Sequence, residues 1–290
     1  MTDEVWTIRK VLTWTTQRFE KQDIDAPRLT AEQLLAHTLK LDRVKLFMEL
    51  DRPLQKDELG EFRGLIQRRM QYEPTQYLTG FKDFYNRRFS VDARVLIPRP
   101  ETELLVDAVL QLLPKDVPTR VLDLCTGSGC IGVTVAAERP QASVWVTDLS
   151  PGACELASAN AEKHEVAGRV SVLKGDLFAA IPAGAKFDVV VSNPPYVKRG
   201  DLPGLQKEVT KEPREALDGG PDGLDFYRRI AAGAHAALKR GGWLALEIGD
   251  EQGDAVKAEL TRAGYLAVRV EKDLARLDRL AFAQEPAAHG

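Results

Sequence analysis

The chain has 290 residues, 44% of them apolar and 29% charged, with a formal net charge of -3. That composition is ordinary for a globular protein and excludes a disordered or fibrous chain; the length suits one large domain with a small one, or two ordinary domains. No stretch approaches the roughly 20 apolar residues of a membrane span, and basic and acidic residues balance in residues 1–80 and nearly balance beyond, so direct nucleic-acid binding is not expected. The opening "MTDEVWTIRK" has neither signal-peptide nor transit-peptide character, and a cytoplasmic protein is expected. Cys125, Cys130 and Cys154 form no CxxC pair, and His37, His164, His235 and His289 are scattered, so no metal site is expected.

The first 80 residues carry helical periods. "TIRKVLTWTTQRFE" places Ile8, Val11, Leu12, Thr15 and Phe19 on one face. In "PRLTAEQLLAHTLKL", Thr30 and Gln33 have the spacing of a capping box ahead of Leu34, Leu35 and Leu39, and "DELGEFRGLIQRRM" continues the pattern. The spacing predicts a helical domain of four or five helices over residues 1–74, its apolar stripes being core. Residues 75–100 alternate aromatic and β-branched positions around Asn86, which tolerates a left-handed turn; a β-hairpin linker is expected there.

From residue 101 to 290 the pattern becomes strand, helix, strand, helix. Strands are expected at 120–125, 142–148, 169–176, 187–193 and 241–249, followed by "YLAVRVEKDL" and "DRLAFAQ". This is a Rossmann-like, doubly wound α/β sheet, whose ligands sit at the carboxyl ends of the strands.

Every candidate motif falls at such an end. "VLDLCTGSGCIG" runs from a strand through a glycine turn into a helix, and Gly127, Gly129 and Gly132 satisfy G-x-G-x-x-G, so a dinucleotide enzyme must be considered. Asp148 ends the next strand, where a carboxylate can accept both ribose hydroxyls or, alternatively, cap the following helix. Two features favour S-adenosylmethionine over a dinucleotide. Asp123 precedes the turn, where its charge would repel a pyrophosphate, and Gly175-Asp176-Leu177-Phe178 offers a carboxylate for the adenine amino group beside apolar faces. At 190–197, "VSNPPYVK" stops an apolar strand at two prolines that cannot join a ladder. Alone, this is a rigid turn or a device that frees acceptors at a strand end.

Taken in order, "DLCTGSG", Asp148, "GDLF" and "NPPY" resemble the motifs of class I S-adenosylmethionine methyltransferases acting on planar nitrogens. With "PTQYLTG", "VLIPRPETE", "EPREALDGGPDGLDFYRRI" and "LALEIGDEQG", the chain from about Pro74 to Gln252 resembles the peptide chain release factor glutamine methyltransferases, the PrmC or HemK family. The resemblance implies a mostly parallel seven-stranded sheet behind a helical substrate-recognition domain. It implies that S-adenosyl-L-methionine contacts Cys125, Thr126, Gly127, Ser128, Gly129, Asp148, Asp176, Leu177 and Asn193, and that Asn193, Pro194, Pro195 and Tyr196 are catalytic. The substrate implied is the glutamine of the Gly-Gly-Gln motif in class I release factors, methylated at its amide nitrogen to N(5)-methylglutamine by a monomer. Asn193 would accept one amide N–H through its side-chain oxygen, the Pro194 carbonyl the other, and Tyr196 would lie against the amide plane. Arg99, Glu101, Thr102, Glu212, Pro213 and Glu247 are expected either to line or brace the same cleft or to serve only as structural caps and ion pairs. Two departures stand out: Ala275-Arg276 where relatives often have Gly, with a differently bent last hairpin expected, and Leu177 in place of a bulkier residue beside the adenine. An amino-methyltransferase for nucleic-acid bases, which also uses Asn-Pro-Pro-Tyr, and a non-catalytic S-adenosylmethionine-binding scaffold are the competing functions.

Overall fold

The computed structural model describes residues 5–287; residues 1–4 and 288–290, among them His289 and the start of the opening segment, lie outside the described residues. The chain divides into two units, one running to Phe81 and taking in Gln206–Lys211, the other formed by Lys82–Leu205 and the chain from Glu212 onward. No helix among the described residues is long and apolar enough to cross a membrane.

The first unit contains α1 (Ile8–Glu20), α2 (Pro27–Leu39), α3 (Arg43–Met48), α4 (Lys56–Met70) and α5 (Thr75–Thr79). The predicted stripe of α1 is buried, and Ile8, Val11 and Phe19 pack with Leu34, Leu35, Leu46, Phe62 and Ile66 in one core. The capping box expected at Thr30 and Gln33 is not there. Pro27, whose ring fixes φ near the helical value, takes the first position of α2, so the helix begins before Thr30, whose buried hydroxyl donates to the Asp25 carbonyl (3.2 Å). The backbone N–H of Gln55 makes such a contact instead, donating to the Glu58 carboxylate at the start of α4 (2.8 Å). Residues 75–79, expected in the hairpin, are helical because Pro74 opens α5 and Gly80, at φ +80°, closes it. Arg69 of α4 is 1% exposed; it donates to the Glu73 carbonyl and pairs with Glu208 of the returning segment.

A hairpin of β1 (Phe81–Phe84) and β2 (Arg87–Ser90) turns on Tyr85 and Asn86, both at positive φ (+49° and +57°), as a tight two-residue hairpin requires. The second unit continues with α6 (Thr102–Leu112), β3 (Thr119–Leu124), α7 (Cys130–Glu138), β4 (Ala142–Asp148), α8 (Pro151–Lys163), β5 (Val170–Lys174) and β6 (Phe187–Ser192). It ends with α9 (Asp225–Ala237), β7 (Leu238–Glu247), α10 (Gly253–Arg262), β8 (Leu266–Lys272) and β9 (Asp278–Gln284). The sheet order is β5-β4-β3-β6-β7-β9-β8, with β9 antiparallel to both its neighbours and the pairs from β5 to β7 parallel. Alternation buries both faces: Val121, Val144, Val146, Val189 and Val191 join the core under α6 and α7, whereas Leu122, Leu124, Val190, Leu244 and Leu246 join the core under α9 and α10. Strand order reverses between β3 and β6, the position at whose carboxyl ends sheets of this kind hold their ligands.

Candidate active site

The glycine turn leaves β3 at Leu124 and enters α7 at Cys130. Gly132 has no room for a side chain, since a Cβ would stand 2.4 Å from Val146 Cγ1; the missing side chain lets α7 lie directly on β4. Asp123 braces this turn through one of its oxygens. It is completely buried, and its Oδ2 accepts from the Thr126 hydroxyl (2.6 Å) and the Gly132 N–H (3.0 Å). Burial pushes its carboxyl up to about 7, against the pull of those two donors, and the neighbouring Asp148 adds to the rise. Asn160 of α8, wholly buried, holds the turn from its other side by donating to the Ser128 carbonyl (2.8 Å).

Asp148 stands at the end of β4, beside the turn. Its Oδ2 accepts the Gly127 N–H and its Oδ1 the Ser150 N–H, both at 2.9 Å, which leaves lone pairs on each oxygen. Burial raises its carboxyl above the usual range, while those backbone donors oppose the rise. The helix cap considered for Asp148 belongs to Ser150, whose hydroxyl accepts the Ala153 N–H (3.2 Å). At the end of β5, Asp176 is half-exposed and its Oδ2 accepts from Arg229 (2.7 Å). Leu177 is buried at φ +51°, and Cys125, after β3, sits at φ +57°. Both occupy the left-handed region that non-glycine residues seldom enter, and both follow the carboxyl ends of strands.

Beyond β6, Pro194 and Pro195 are buried, and Asn193 and Tyr196 partly so. Asn193 Nδ2 donates to Thr102 Oγ1 (3.2 Å), and its Oδ1, shielded from solvent, has no partner among the described residues. Thr102 in turn donates to Glu247 Oε2 (2.6 Å) at the end of β7. Tyr196 is gripped through its backbone. Gln252 Nε2 donates to the Tyr196 carbonyl (3.0 Å), and a Cβ on Gly219 would stand 2.7 Å from Tyr196 Cα. Arg99 and Glu212 pair at 2.6 Å, and the buried Glu212 also accepts the Ile97 N–H (2.9 Å), so these two brace the approach to α6.

The structure thus brings the glycine turn, Asp148, Leu177 and Asn193–Tyr196 to adjoining strand ends on one edge of the sheet. Sequence reasoning assigned no role to Gln252, Gly219 or Asn160. The motifs "EIGDEQG" and "LDGGPDG" contain the first two, but only the fold shows which backbone they hold. Among the described residues, no three His, Cys, Asp or Glu side chains gather as a metal site would require.

A seven-stranded sheet with a single reversed strand, a glycine turn after its first strand and Asn-Pro-Pro-Tyr after its fourth define a class I methyltransferase. A crystal structure of a methyltransferase from Pyrococcus furiosus shares this fold, with a TM-score of 0.53 at 18% identity over 71% of this chain and 92% of that one. Residues 102–223 match the methyltransferase small domain family, and residues 10–80 the PrmC N-terminal domain family. The chain is 44% identical to a release factor glutamine methyltransferase of Geobacter sulfurreducens over 96% of each chain. It is also 44% identical to one of Moorella thermoacetica, over 96% of this chain and 99% of that one. The chain belongs to the release factor glutamine methyltransferase family.

Proposed function

We propose that this chain transfers a methyl group from S-adenosyl-L-methionine to the side-chain amide nitrogen of the Gly-Gly-Gln glutamine in class I release factors, giving N(5)-methylglutamine. The observation that carries this reading is Asn193 Oδ1, a shielded acceptor with no partner, at the carboxyl end of β6. An amide nitrogen is a weak nucleophile because its lone pair is delocalised into the carbonyl. Holding both its N–H bonds, one on Asn193 Oδ1 and one on the Pro194 carbonyl, fixes its plane and aims its free face. The prolines restrict the backbone that aims this carbonyl, and the Tyr196 ring, gripped through its main chain by Gln252, lies against the amide. No strong general base is required, because the product sheds its proton after transfer.

The residues present fit the cofactor. Asp148 keeps lone pairs on both oxygens for a ribose, the turn of Cys125, Thr126, Gly127, Ser128 and Gly129 forms the cradle, and Leu177 gives an apolar wall with Asp176 at its edge. S-adenosyl-L-methionine supplies, when bound, a methyl group activated on a sulfonium. The helical residues 1–74 recognise the release factor, residues 75–100 link the two parts, and residues 101–290 carry the chemistry; the enzyme acts as a cytoplasmic monomer.

The test is incubation with methyl-labelled S-adenosyl-L-methionine and purified release factor, native or with the motif glutamine replaced by alanine. Label on the native factor alone is expected. Label on both factors, or on neither, would defeat the assignment.

A further inference from the structure

An asparagine side chain offers an acceptor at one end and a donor at the other, and the clamp works only if the acceptor faces the substrate. Thr102 touches Asn193 at the donor end. Its hydroxyl has one proton, directed to Glu247 Oε2 at 2.6 Å, so toward Asn193 it presents a lone pair, which Nδ2 fills at 3.2 Å. Thr102 and Glu247 are each 1% exposed, so water does not compete for either contact. We propose that Thr102 and Glu247 are positioning residues that fix which way the Asn193 amide faces, and that Glu247 must be ionised for the clamp to form. The inference rests on the role given to Asn193 above.

The direction of the chain of hydrogen bonds follows from its far end. An ionised Glu247 can only accept, so Thr102 must give it the proton and accept from Nδ2, and Oδ1 is left facing away from Thr102. A proton taken from solvent onto Glu247 Oε2 reverses each bond. Thr102 then accepts from Glu247 and donates to Asn193, which turns Oδ1 inward and offers Nδ2 to a substrate amide that also offers N–H. Two donors face each other, and the grip fails.

Burial raises the Glu247 carboxyl to about 7, opposed by the Thr102 hydrogen bond and by Arg279 and Arg99, and assisted by Glu101. The other titratable neighbours are Tyr196 and Cys130, both pushed up by burial to about 12, and Tyr227, higher still; all stay neutral near pH 7. Turnover should therefore rise as pH increases through about 7. Asp123 titrates in the same range, so variants rather than the midpoint must assign the limb.

Methylation of release factor is measured between about pH 5.5 and 8.5, with kcat and KM separated, for wild type, Thr102→Val, Thr102→Ser, Glu247→Gln and Asn193→Ala. Thr102→Val should lose on the order of 10-fold in kcat and flatten the acid limb, Thr102→Ser should restore both, and Glu247→Gln should abolish the limb. The relay is overturned if Thr102→Val and Glu247→Gln keep wild-type turnover and limb while Asn193→Ala loses turnover. Normal turnover in Asn193→Ala would instead remove the clamp itself, and the relay with it. Should Thr102→Val melt below the assay temperature, Glu247→Gln decides alone, and a wild-type limb in that variant refutes the proposal.

Discussion

Asp148 bears the cofactor assignment most directly. Its two oxygens each accept one backbone N–H at 2.9 Å, from Gly127 and Ser150, and the lone pairs that remain are those a ribose diol would occupy. Asp148→Ala removes both oxygens proposed to accept the ribose hydroxyls. It leaves α8 capped, because that cap is the Ser150 hydroxyl, so the loss should fall on binding rather than on the fold. Losing a charge-assisted hydrogen bond amounts to about 1–3 kcal/mol, which corresponds to roughly a 5- to 150-fold rise in Kd. Asp176→Ala should lose less than about 1 kcal/mol, because that carboxylate is half-exposed and already paired with Arg229. Calorimetric titration with S-adenosyl-L-methionine measures both variants, with NADH as the competing ligand. Because burial raises the Asp148 carboxyl, protonation on acidification removes an acceptor, and affinity should begin to fall above the usual carboxylate range. Unchanged affinity in Asp148→Ala, or tight NADH binding without S-adenosyl-L-methionine binding, would refute the reasoning.

Two further outcomes concern stability. The folded Asp123 carboxyl is raised to about 7, so its favourable contribution is complete below the unfolded value and is lost as pH rises through about 7. Asp123→Asn, which keeps an acceptor for Thr126 and Gly132, should therefore raise the melting temperature at about pH 8 and change it little at about pH 4; an equal shift at both would show that burial of charge is not the cause. Arg276 occupies the last hairpin at φ +65°, so Arg276→Gly should stabilise by about 1 kcal/mol in chemical denaturation, and a destabilised variant would contradict the backbone argument.

Where local chemistry decides structure, sequence and fold agree. The expected strands at 142–148 and "DRLAFAQ" coincide with β4 and β9, and Asn86 takes its left-handed turn. In the last hairpin Asp273 Oδ1 accepts the Ala275 and Leu277 N–H groups, and Arg276 between them sits at φ +65°. Disagreement arises where one local signal competes with another, as when Pro27 starts α2 ahead of a plausible cap at Thr30. In the site, the order of motifs was visible because each closes a strand. Side-chain partners were not: Asp123 Oδ2 accepts from the Gly132 N–H, and Thr102 meets Asn193 91 positions away, a contact between the start of α6 and the end of β6 that nothing in either segment alone announces.

The return of Gln206–Lys211 to the helical unit has a consequence for synthesis. When the helices have emerged from the ribosome, Arg69 is destined for burial but its partner Glu208 has not been translated. At about 5–20 residues per second, the partner follows roughly 7–28 s later. During that interval the nascent bundle either leaves Arg69 in water, with α4 loosely seated, or buries an uncompensated charge. The bundle at the front of the chain is thus the part that finishes late, its last core contact delivered from inside the catalytic sequence.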